Sequence, residues 1–94
     1  MLNTDLAIPY FRDYGIKRAA LFGSQARGDA AEYSDIDLVV SFGREYDLLD
    51  IIALKQDLED VFHLSVDVIT YSALQQDSFS QNVLREEKII YEQQ

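Results

Sequence analysis

The spacing of apolar residues along this chain changes period several times, and each change marks a predicted element. Residues 4–14 read as a helix stopped by Gly15, a residue free to take the left-handed conformation of a helix C-terminus. Pro9 fits there in one of two ways: the helix begins at about that point, or it lacks one backbone hydrogen bond. IKRAALF (16–22) is a short strand ending at Gly23, and the small, polar residues 24–34 predict a helical turn and a loop. DIDLVVSF (35–42) alternates and is rich in β-branched residues, which predicts a strand stopped by Gly43. Asp47 is placed as the N-cap of a long helix, with Asp50 in its first turn. Leu48, Ile51, Ile52, Leu54, Leu58, Val61 and Phe62 then keep helical spacing to about His63. LSVDVIT (64–70) is again a strand. Residues 72–87 have cap-like Ser72, Asp77 and Ser80 with weaker helical periodicity, and KIIYE (88–92) reads as a final strand or a helix end. The order α-β-α-β-α-β-α-(β), without repeat or linker, predicts an α/β fold with one sheet and helices packed against it.

Composition narrows the function. Ninety-four residues predict a single domain (1–94) with one modest core and no room for a second, substrate-binding domain. No apolar run approaches the ~20 residues of a membrane span, and Asp5, Pro9 and Arg12 break the N-terminus too early for a secretory signal. The absence of cysteine removes disulfides, thiolate metal sites and cysteine nucleophiles together. A cytoplasmic protein is the expectation. Seventeen acidic against eight basic residues leave a formal charge of -9, and the basic residues are scattered, not striped. That argues against direct nucleic-acid binding and for a basic protein partner or a charge-offsetting metal ion.

The chemistry centres on LFGSQARGDAAEYSDIDLVVSF (21–42). Side chains at i and i+2 of a strand share a face, so Asp35 and Asp37 stand side by side while Ile36, Leu38 and Val40 point the other way. Two carboxylates that close call for a cation, and all-oxygen ligands suit Mg²⁺ or Mn²⁺. Asp67, between Val66 and Val68, is a third carboxylate isolated in an apolar strand. If its strand lies beside DIDLVV, the three converge into the shared-carboxylate site that two-metal phosphoryl and nucleotidyl transfer requires. Upstream, Gly23 permits close approach of a phosphate and Ser24 adds a hydroxyl donor. Gly23 and Gly28 have the spacing of a Walker A loop, but Asp29 stands where that motif demands lysine, so a P-loop is excluded. Each feature alone has a plain structural explanation: DxD as a solvated strand end, Gly-Ser as a turn, Asp67 as an exposed edge position. Their conjunction is different, because Gly-Ser, ten residues, then Asp-x-Asp arises by chance on the order of once in a thousand such chains.

GSQARGDAAEYSDIDL resembles the signature of the polymerase-beta-type nucleotidyltransferase superfamily: GS, a ten-residue gap, then DxD. ALFGSQARG with SDIDLVV narrows the resemblance to the minimal nucleotidyltransferases (MNT), the antitoxins of HEPN–MNT toxin–antitoxin pairs. The resemblance implies the polymerase-beta-like fold, a small mixed β-sheet with helices packed on it. It also implies Mg²⁺-dependent transfer of AMP from ATP to a tyrosine of a HEPN-type ribonuclease toxin, which silences the toxin. On this resemblance Asp35, Asp37 and Asp67 are the catalytic, metal-binding carboxylates, holding two Mg²⁺ ions, and Gly23 and Ser24 hold the nucleotide phosphates. Asp67 is also placed to take the tyrosine proton. Arg27 either reaches the phosphates or locks the loop to a carboxylate such as Asp35; Ser34 caps the start of the strand, and His63 is structural.

Two other functions compete with this one. One is a non-catalytic antitoxin that blocks its toxin sterically. The other is a small-molecule nucleotidyltransferase working with a partner subunit. The intact set of carboxylates favours the enzyme over the first. The lack of an acceptor-binding domain argues against the second.

Overall fold

A computed structural model describes residues 2–28 and 34–93. Most of the loop expected before DIDLVV, residues 29–33, lies outside the described residues.

The first helix begins where Pro9 allows it. A 3₁₀ turn, Thr4–Ala7, leads into α1, Ile8–Asp13, and Pro9 stands in the first turn of α1, where an N–H has no intrahelical acceptor to lose. Gly15, at φ 68°, closes that segment. Four strands follow: β1 (Ile16–Phe22), β2 (Ile36–Phe42), β3 (Val66–Thr70) and β4 (Lys88–Glu92). They form a mixed sheet in the order β3-β2-β1-β4. β1 runs antiparallel to both β2 and β4, whereas β2 and β3 are parallel. A short helix, α2 (Ser24–Arg27), follows β1. The parallel pair needs a crossover, supplied by α3, Leu48–Phe62. Asp47 and Asp50 start α3 as a reciprocal capping box, each carboxylate accepting the other's backbone N–H. His63 ends it, left-handed at φ 57°, with an exposed side chain.

The C-terminal ambiguity is settled by β1, whose open edge pairs with KIIYE as a strand. Before it, the weakly periodic stretch divides into a 3₁₀ turn, Tyr71–Ala73, and α4, Ser78–Glu86. Asp77 caps α4 by accepting the Ser80 N–H at 2.7 Å.

Alternation along the strands divides the interior into two layers. Ile36, Leu38 and Val40 of β2 pack with Phe11 of α1 and Leu54 and Leu58 of α3 in the larger core. Ile16 and Ala19 share that face although three residues apart, because β1 is bulged between Ile16 and Arg18. On the other face Ala20, Phe22 and Val39 meet Val83 of α4 in a smaller cluster. α4 covers this face only in part, so Asp37 is half-buried and Asp67 exposed. Among the described residues, no helix is long and apolar enough to cross a membrane.

Candidate active site

Asp37 and Asp67 are register partners in the parallel β2–β3 ladder. Neighbouring strands lie ~4.8 Å apart and residues in register project from the same face, so the two carboxylates are adjacent. Asp35 stands just before β2, two residues from Asp37, and is exposed. The adjacency expected of β3 is therefore present. Its electrostatic consequence falls on Asp37, whose carboxyl is pushed above its ordinary range, first by burial and then by the charges of Asp67 and Asp35. Oxygen donors that repel one another in this way suit a hard divalent cation. As the side chains stand, no three His, Cys, Asp or Glu among the described residues close around an ion. The geometry is an open pair with Asp35 beside it. That still fits Mg²⁺, which keeps waters and substrate phosphates in its shell and is rarely caged by protein alone.

The Gly-Ser turn reaches the same point from β1. Phe22, the last residue of β1, is the register partner of Asp37. Gly23 follows at φ 70°, ψ -151°, a conformation open essentially to glycine only. A Cβ there would lie 2.7 Å from Asp37 Oδ2. Ser24 then opens α2, in which the Gly23 carbonyl accepts the N–H groups of Ala26 and Arg27 at 3.1 Å each. Gln25 Nε2 donates to the Ser34 carbonyl at 3.4 Å, which ties α2 to the start of β2. Residues on either side of the 29–33 segment are brought within one side chain of each other.

Arg27 makes an ion pair with α4. Its Nη1 lies 3.0 Å from Glu86 Oε2, so it joins α2 to α4. Between these elements runs a cleft of about 290 Å³. Gly23, Arg27 and Asp37 line one wall; Phe79, Asn82 and Glu86 of α4 line the other. Sequence reasoning overlooked this second wall. The available signal was the spacing of 79, 82, 83 and 86, one face of a helix, but its weak apolar content gave no reason to single it out.

A larger depression, about 380 Å³, lies at the opposite end of the sheet beside Arg18, Ser41 and Tyr71. Two of its polar groups converge on Glu87, whereas the buried Arg18 Nε has no hydrogen-bond partner among the described residues. Arg18 Nη2 donates to Glu87 at 3.0 Å and the Tyr71 hydroxyl donates to the same oxygen at 2.6 Å. Burial, then the Glu87 hydrogen bond, pushes the Tyr71 hydroxyl up to about 12, so it stays protonated at neutral pH. This cluster fastens β1 to the C-terminal segment.

Comparison with known proteins agrees with that geometry. The family described as "Polymerase beta, Nucleotidyltransferase" matches residues 6–94, which include every element of the site. The chain belongs to this family. This nucleotidyltransferase is 48% identical over 67 residues to a candidate protein adenylyltransferase of Methanocaldococcus jannaschii, covering 71% of this chain and 72% of that one. It is 38% identical over 73 residues to the protein adenylyltransferase MntA of Thermococcus cleftensis, covering 78% and 73% of the two chains. Among solved structures, a chain of a toxin–antitoxin complex with AMP-PNP superposes with a TM-score of 0.83 at 26% identity, covering 99% of this chain and 76% of that one. The mixed four-stranded sheet with its helices is the polymerase-beta-like nucleotidyltransferase fold.

Proposed function

We propose that this nucleotidyltransferase is the antitoxin of a toxin–antitoxin pair and transfers AMP from ATP to a tyrosine of a HEPN-type ribonuclease toxin, with Mg²⁺. The observation that carries the chemistry is the register pairing of Asp37 with Asp67, beside a Gly23 whose missing side chain makes room for the Asp37 carboxylate. The protein acceptor is supported by the names of the relatives and by the toxin–antitoxin complex with AMP-PNP. A formal charge of -9 suits a basic protein partner.

Each residue then has a task. Asp35 and Asp37, with Asp67, would hold Mg²⁺, which would supply positive charge against the phosphates and the attacking oxygen. The Gly23 backbone and the Ser24 hydroxyl orient the triphosphate. Asp67, exposed on β3, faces the incoming acceptor and takes the tyrosine proton. The tyrosine oxygen bonds to the α-phosphorus, the bond to the β-phosphate oxygen breaks, and pyrophosphate leaves.

The test uses the purified protein, labelled ATP, Mg²⁺ and the co-expressed toxin. Label is expected on a toxin tyrosine, and Asp35→Ala or Asp37→Ala abolishes it. A double aspartate variant that still neutralises an unlabelled toxin would establish steric inhibition instead. Undiminished labelling by that variant would refute the metal-ligand assignment.

A further inference from the structure

We propose that Phe79 and Asn82 of α4 form the nucleobase seat of this site, with the base stacked on the Phe79 ring and its edge read by the Asn82 amide. The inference rests on the nucleotidyltransferase site described above and adds the residues that select the base.

Phe79 is 57% exposed, although α4 has a buried face at Ser80 and Val83 that holds the helix without it. Its ring is not loose. It stands nearly perpendicular to Phe22, at 85° and 6.1 Å between centroids, a contact that uses at most one of its faces. Phe22 precedes Gly23 and is the register partner of Asp37. An open aromatic face is thereby held one side chain away from the phosphate turn and the carboxylates.

The cleft between them has the size for one such group. Its volume of about 290 Å³ lies at the lower end of the ~300–1,000 Å³ of small-molecule sites. Charge assigns its two parts. Asp35, Asp37 and Asp67 define the end where a metal-bound triphosphate belongs. Along α4 the Arg27 charge is met by Glu86 at 3.0 Å, which leaves an uncharged stretch of Phe79 and Asn82. A neutral, flat, π-faced group suits that stretch; a phosphate does not. Stacking is indifferent to which base is present, so discrimination falls to Asn82. Its exposed amide offers both a donor and an acceptor, the complement of the adenine edge. The seat is also preorganised, because the Asp77 cap and the Arg27–Glu86 pair hold α4 at both ends.

The experiment titrates the whole chain with ATP, GTP and inorganic tripolyphosphate, each with Mg²⁺, by calorimetry. Phe79→Ala is expected to weaken ATP binding by about 5- to 150-fold and to leave tripolyphosphate binding unchanged. Phe79→Trp retains ATP binding, and Asn82→Ala loses the preference for ATP over GTP. Thermal midpoints equal to the wild type establish that the variants fold. Equal losses for ATP and tripolyphosphate, or unchanged ATP binding, would overturn the proposal. Unchanged ATP binding with reduced labelling of the toxin would assign Phe79 to the acceptor instead. Failure of the wild-type chain itself to bind ATP would remove the phosphate site as well, an outcome distinct from failure of the Phe79 variant alone.

Discussion

The Asp37 carboxylate occupies the space that a side chain on Gly23 would need, with an added Cβ only 2.7 Å from Oδ2. Backbone conformation and catalytic geometry therefore constrain this glycine together. Gly23→Ala is expected to cost about 1–3 kcal/mol of stability from the positive φ alone. It also displaces Asp37 and lowers kcat/KM on the order of a hundredfold. Chemical denaturation and labelled-ATP kinetics on the same variant separate the two effects.

Asp37 pairs with Asp67 at a cost to the protein without metal. Because burial and its two acidic neighbours disfavour the charged form of Asp37, Asp37→Asn is expected to raise the thermal midpoint of metal-free protein at neutral pH while abolishing transfer. Mg²⁺ raises the midpoint of the wild type and has little effect on the variant. A wild-type midpoint indifferent to Mg²⁺ would contradict the metal assignment.

The wall opposite, α4, carries its own pH dependence. Accepting the Ser80 backbone N–H holds the Asp77 carboxyl below its ordinary range. A lowered folded-state value means that the cap's contribution is complete above the ordinary value of 3.8 and is lost as pH falls through the folded-state value. Thermal melts of wild type and Asp77→Ala are expected to differ most near neutrality and to converge under acid conditions. A difference that persists at the acid end would point to packing rather than the charged cap.

Arg27 and Glu86 form an ion pair about half open to solvent, with side-chain exposures of 46% and 34%. Such a pair contributes about 0–1 kcal/mol, so its role is to align α2 with α4. Arg27→Ala and Glu86→Ala are expected to raise the KM for ATP alike, with the double variant no worse than either. A loss confined to Arg27→Ala would show that Arg27 reaches the phosphates.

Local features are legible in the residues themselves. Gly15 announces positive φ, Asp47 and Asp77 announce helix starts, and the alternation of DIDLVV separates Asp37 from Ile36 and Leu38. These follow from short-range sterics and strand periodicity, which a window of a few residues contains. Periodicity places two strand starts slightly early: 35 for a strand beginning at Ile36, and 64 for one beginning at Val66. KIIYE is ambiguous by pattern because its edge pairing with β1 involves residues about seventy positions away.

The sequence by itself determined the elements up to the third strand, the Gly-Ser turn and the Asp35–Asp37 pair, since each depends on conformations and spacings within one segment. Only the tertiary structure decided that Asp67 joins them, that Arg27 meets Glu86, and that Phe79 faces the same cleft. Those relationships are set by parallel register and by the packing of α4 on the sheet. Both arise from contacts between segments distant along the chain, where local periodicity carries no information.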